Sequence, residues 1–137
     1  MKTYTLLKND TINYHGITLY RIKYVDGILG GYIENEKNLE HGDARVFDNA
    51  KVFSNARVFD NAKVFSNARV FGNARVFDNV EVFDNAEVYG NARVYGNTKV
   101  FGNAKVYGDA EVFGNTKVLD NVWVYGNACV FGNAEVY

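Results

Sequence analysis

From residue 43 onward, small and aliphatic side chains alternate with charged and aromatic ones on a period of six. In "NARVFDNAKVFSNARVF", residues 55–71, alanine and valine hold the second and fourth places of each unit. A charge and an aromatic hold the third and fifth, and Asp or Ser followed by Asn closes the unit. Such alternation sends Ala and Val to one side of an extended chain and the charge and ring to the other. A helix would need apolar residues three and four apart, and a Gly-Asn pair every six residues would break it every other turn. Each hexad therefore reads as a short strand, A-R-V-F in type, followed by a corner. The pairs GN, DN and SN suit that corner, because Gly and Asn tolerate positive φ and an Asn side chain can bond its local backbone.

Sixteen hexads run from Asp43, the last one residue short. The fourth place is valine in all sixteen, from Val46 to Val136, and the sixth is only Gly, Asp or Ser. Corners of one kind wind the strands into a coil with valines and alanines on a common axis. The exceptions in the second place indicate the size of the coil: Val80, Thr98 and Thr116 recur at every third hexad. Residues stacked in adjacent coils share one slice of core, so three sides of six residues fit better than two sides.

The pattern V-x-(G/D/S)-N-A-x resembles the hexapeptide repeat of left-handed parallel β-helices, in which an aliphatic residue and a small residue four places later fill a triangular prism. The resemblance covers residues 43–137 and implies an all-β, left-handed, three-sided parallel β-helix. One difference is that the place after the aliphatic, often small or acidic in that family, is here Phe or Tyr except at Leu119. The segment "GGYIENEKNLEHGDARVFDNA" is similar to the lead-in of uncharacterised bacterial and phage repeat proteins that have a GGWIE-like cap before NARVYG hexads.

Residues 1–42 lack the repeat and are expected to form a small β-rich cap. "TYTLLK", "ITLYRIKYV" and "GGYIEN" read as strands, divided by turn signals at "KND", "NYHG", "VDG" and "GG". Two or three such strands would seal the first coil, since an open solenoid end leaves unpaired backbone groups over a bare core. At the other end the pattern stops at Tyr137, inside a hexad. Val130, Phe131, Val136 and Tyr137 are expected to form a self-association surface, giving a homodimer through the C-terminal coil.

Charge and composition narrow the chemistry. A formal net charge of -1 provides no field to gather a polyanion, so nucleic acid is not an expected partner. Cys129 is the single cysteine, which excludes an intrachain disulfide and suits a reducing cytoplasm. The polar start "MKTYTLLKNDTINYHG" lacks the apolar run of a secretory signal, and no stretch is long enough for a membrane span. The resemblance includes acyltransferases with a histidine base in a cleft between subunits. Here the only histidines, His15 and His41, precede the repeats, and no hexad carries an inserted loop to wall a pocket. No cofactor or metal site is expected, and His41 reads as part of the cap.

The outward places stack into columns, one rung at every third hexad. One aromatic column holds Phe53, Phe71, Tyr89, Tyr107 and Tyr125; with Trp123 beside it, Tyr89, Tyr107, Trp123 and Tyr125 are the candidate protein-binding residues. The stems of Lys and Arg are expected to lie over such rings. The basic run from Arg45 to Arg75 spreads around the prism, but Arg57, Arg75 and Arg93 fall in one column, a candidate face for an anionic partner. Asp60 and Asp78 at the adjoining corner are expected to offset their repulsion. Asn49, Asn67, Asn85, Asn103 and Asn121 should form an amide ladder. Ice binding would need ranks of outward threonines, and Thr98 and Thr116 point inward. These features together imply a non-catalytic binding or assembly rod. The resemblance suggests an inhibitor or decoy of a host protein as its specific form, with an acyltransferase-like enzyme and a plain structural spacer as the rival readings.

Overall fold

A computed structural model describes residues 2–137. Sixteen two-residue strands, from β4 (Arg45–Val46) to β19 (Glu135–Val136), recur every six residues at the third and fourth places of the hexads. The strand is shorter than A-R-V-F suggests, because only these two residues keep ladder geometry before the chain turns. Each pairs in parallel with the strand three hexads on: Val46 lies opposite Val64 and Val82 opposite Val100. The result is a three-sided parallel β-solenoid. Its first face runs from β4 to β19, its second from β5 (Lys51–Val52) to β17 (Trp123–Val124), and its third from β6 (Arg57–Val58) to β18 (Cys129–Val130).

The interior is filled by the second and fourth places. The valines from Val46 to Val118 and the alanines from Ala50 to Ala110 are fully buried. Val80, Thr98 and Thr116 share one column of that core, as their spacing predicts. The two threonine hydroxyls are satisfied locally, donating to the carbonyls of Tyr95 (2.8 Å) and Phe113 (2.7 Å). Where alanine stands, the backbone N–H takes that carbonyl instead, as Ala50 does with Phe47 (3.1 Å).

The corner works differently from the sequence expectation. Positive φ falls on the sixth place, at seven Asp or Ser residues (57° to 61°) and eight glycines (64° to 79°), and not on the asparagine that follows. An L-residue there is strained, and Asp repays part of the strain through its carboxylate. Asp48, Asp60, Asp78 and Asp84 each accept the N–H of the residue one coil on, at 3.0 to 3.3 Å. Freed from the turn, the asparagines bond one another across coils rather than to local backbone. An amide ladder runs unbroken from Asn61 through Asn79, Asn97 and Asn115 to Asn133. The ladder expected from Asn49 to Asn121 is bonded from Asn85 onward, through Asn103 to Asn121.

The cap is an antiparallel meander of β1 (Tyr4–Tyr14), β2 (Ile17–Tyr24) and β3 (Leu29–Ile33). Two expected turns lie inside strands. "KND" falls within β1 as an irregularity between Leu7 and Thr11, and Gly30 and Gly31 lie within β3. These glycines are needed for close approach: a Cβ on Gly31 would sit 2.6 Å from the Ala50 carbonyl oxygen. The turn at His15 and Gly16 is real, with positive φ at both residues as a two-residue hairpin of the primed type requires.

The cap closes each of the three sheets by a different device. On the second face, β3 pairs in parallel with β5, Ile33 lying opposite Val52. On the third, Leu39 bridges to Val58, and the buried Asn38 amide donates to the carbonyls of Ser54 (3.1 Å) and Ala56 (2.9 Å). On the first, the Tyr24 hydroxyl accepts from the Val46 N–H (2.7 Å) and donates to its carbonyl (3.1 Å). Burial pushes that hydroxyl up to a pKa of about 12. His41 belongs to this cap: it stacks on Tyr4 with ring centroids 4.1 Å apart, and its Nδ1 accepts the Thr3 N–H at 3.1 Å.

Candidate functional site

The fifth-place rings face outward and stack in register. Phe53, Phe71, Tyr89 and Tyr107 lie 4.8 to 5.0 Å apart on the second face, almost parallel. Phe59, Phe77, Tyr95 and Phe113 do the same on the third. In the last coil the spacing opens to 5.4 Å, at Tyr125 and at Phe131, and Trp123 meets Tyr107 edge-on. Among the described residues no cationic head lies over a ring of these ladders. Lys51 and Arg69 lie over Tyr14, Arg45 over Tyr24 and Lys105 over Trp123, all rings outside the fifth-place columns.

The second face has two halves. Its first rungs are covered by the β1–β2 hairpin: Phe53 is 7% exposed, Tyr14 meets it edge-on at 5.5 Å, and Ile12 and Ile17 pack into the same cluster with Leu19 and Tyr32. Its far rungs are bare, with Tyr89 and Tyr107 half-buried and Trp123 and Tyr125 exposed at 58% and 57%. The four candidate protein-binding residues are thus brought together as one surface. Sequence reasoning missed the hairpin on the opposite half, although the alternating apolar residues of "INYHGIT" were a signal that β1 and β2 have a second apolar side.

Among the described residues nothing packs over the coil that reaches Tyr137. β17, β18 and β19 end their sheets, and Val130 and Val136 are only partly buried, unlike the fourth-place valines before them. Phe131 and Tyr137 are 60% and 78% exposed. All four self-association candidates therefore lie on one end of the rod, next to Trp123 and Tyr125. Cys129 is exposed there as well, as its outward place predicts.

On the third face Arg57 stands opposite Arg75, and Arg75 opposite Arg93. The expected offset by Asp60 and Asp78 does not form, because both carboxylates are turned toward the N–H groups of Asp78 and Gly96 in the next coil. Arg93 meets Glu111 at 3.7 Å; among the described residues Arg57 and Arg75 make neither an ion pair nor a cation-π contact. The second face handles its charges otherwise, with Glu87 between Arg69 (3.1 Å) and Lys105 (3.9 Å).

A repeat family described as YdcK beta solenoid repeat matches residues 86–102, part of the region in which every coil has the same geometry. The chain is a β-solenoid repeat protein. No curated protein matches it. Among the described residues no helix of this solenoid is long and apolar enough to cross a membrane, and no cluster of three or more His, Cys, Asp or Glu side chains is placed to hold a metal ion.

Proposed function

We propose that this β-solenoid is a non-catalytic binding and assembly module that works through the bare half of its second face and its uncovered last coil. The observation that carries this reading is the contrast within the second face. One half of an aromatic column already holds an apolar β-hairpin, with Tyr14 against Phe53 and Lys51 over Tyr14. The other half, Tyr89, Tyr107, Trp123 and Tyr125, offers the same chemistry to a second protein. The adjoining end supports self-association, because free sheet edges are complementary to one another and the exposed rings and valines beside them lose water on pairing. An inhibitor or decoy of a host protein, suggested by resemblance of the lead-in segment, is a specific case of this reading.

Light scattering at about 10 µM, well above the dissociation constant expected of a standard-sized interface, tests the assembly. A dimer is expected for the wild-type chain and a folded monomer for Val136→Glu; a wild-type monomer would overturn it. The binding face is tested by a pull-down in which Tyr107→Ala with Tyr125→Ala loses a partner that the wild-type chain retains. Stoichiometric binding of acetyl-coenzyme A would instead favour the acyltransferase reading, and retention of no partner the structural spacer.

A further inference from the structure

The third face carries an arrangement that the assembly reading does not use. Arg57, Arg75 and Arg93 line a shallow groove along the rod together with Asn55, Asn73 and Asn91. The Asn73 amide donates to Asn91 at 3.2 Å and Asn91 to Asp109 at 3.2 Å. Each amide nitrogen carries two hydrogens, so one per rung is left to point elsewhere. At the cap end Lys37 donates to Asn55 at 2.8 Å and adds a fourth cation. At the far end Asp109 and Glu111 line the same groove and reverse its sign.

Three guanidiniums in register repel one another, whereas the other faces stack at most two cations before an acidic residue ends the run, Lys51 opposite Arg69 before Glu87 and Arg45 opposite Lys63 before Glu81. A locally unfavourable run of three, which neither other face of the same scaffold carries, marks a functional position. The neighbouring rings fix the pitch at 4.8 and 5.0 Å along Phe59, Phe77 and Tyr95. An acidic peptide strand lying along the rod repeats its same-side carboxylates about every 6.7 Å and slips out of step within two rungs. A chain of phosphoryl groups, each joined to the next through one oxygen, presents acceptors more closely than the pitch, so every guanidinium finds a bidentate partner.

We propose that the Arg57–Arg75–Arg93 groove binds a short linear oligophosphate, spanning the two coil steps between Lys37 and the acidic stop at Asp109 and Glu111. This does not rest on the assembly reading, since the groove lies on a different face and its residues come from one chain. The phosphoryl chain could be free or part of a nucleotide.

Titration calorimetry at about 50 mM salt, where exposed charges are only partly screened, is the test. Inorganic tripolyphosphate should bind, orthophosphate about tenfold more weakly, and hexaglutamate more weakly still. Arg75→Gln should lower tripolyphosphate affinity about tenfold, while Glu111→Gln should raise it severalfold by releasing Arg93. Lys99→Gln, on another face, should leave it unchanged. Arg75→Gln without ligand should melt no lower than the wild-type chain, which separates lost binding from lost fold. Binding of ATP as tight as tripolyphosphate would assign the phosphoryl chain to a nucleotide, and weaker binding to a free oligophosphate; both support the groove. Silence toward tripolyphosphate, unchanged affinity in Arg75→Gln, or tighter binding of hexaglutamate would each overturn it.

Discussion

The two ends of the rod solve the same problem differently. Each must deal with three sheet edges and a slice of valine core, and the cap end meets every edge with a partner: a strand on β5, an amide on the Ser54 and Ala56 carbonyls, a hydroxyl on Val46. At the other end β17, β18 and β19 are the last strands of their sheets among the described residues, and the core residues Val130 and Val136 are only partly buried there. Because the coils between are alike, the contrast isolates what sealing adds. It fixes the first coil with side chains outside the repeat, whereas among the described residues the coil that reaches Tyr137 packs on one neighbouring coil. A solenoid built from nearest-neighbour contacts should accordingly be firm at one end and frayed at the other.

The largest test compares matched truncations at the two ends. Leu39→Ala opens a cavity under the seal, where the leucine is fully buried, and should cost about 3 kcal/mol in urea unfolding. Val136→Ala, at the open end, should cost about 0.5 kcal/mol, because its site is already wet. Equal costs would break the comparison.

Gly31→Ala comes next. The added Cβ meets the Ala50 carbonyl oxygen at 2.6 Å, and backbone cannot move aside there as a side-chain tip would, so a loss of about 2 kcal/mol is expected. Tyr24→Phe leaves the Val46 N–H and carbonyl without partners and should cost about 1.5 kcal/mol at neutral pH.

The same tyrosine makes the sealed end sensitive to alkali. Its hydroxyl stays neutral up to a pKa of about 12 in the folded chain, against an ordinary value of 10.0. A raised folded value contributes stability that is complete below the unfolded value and lost as pH rises through the folded one. Urea midpoints should therefore hold to about pH 10 and fall toward pH 12, less steeply in Tyr24→Phe; Tyr4, also raised by burial, keeps part of the slope. The smallest effect is dynamic: backbone amides of the last coil should exchange with solvent faster than that of Val46 under native conditions, read by hydrogen exchange.

The period of the coil, its three sides and its core were legible because each place in the hexad meets one environment and varies only as that environment allows. Val80, Thr98 and Thr116 sufficed to set the coil at three hexads. The Tyr columns and the exposed last coil were likewise readable, being direct consequences of that register. The seals were not, because Tyr24 reaches Val46 only after a hairpin brings them together, and nothing local marks a hydroxyl that replaces a strand. The role of Asp60 and Asp78 was misread for a related reason. A carboxylate at a corner chooses between a nearby guanidinium and an N–H one coil away, and the positive φ of its own backbone decides the matter. The hairpin over Phe53 escaped because its partner surface is built from residues far apart in the chain, Tyr32 of the cap with Phe53 and Phe71 of two successive coils.

The three-hexad register also governs how such a rod can change length. Gain or loss of three hexads shifts every later residue by one coil, about 4.8 Å along the axis, and leaves each column made of the same kinds of side chain. Gain or loss of a single hexad turns everything downstream by one side of the triangle. Glu87 would leave its place between Arg69 and Lys105, and Trp123 would leave the tyrosines. Duplication in whole coils is thus the neutral route to a longer protein, and any other step rewrites all three faces at once.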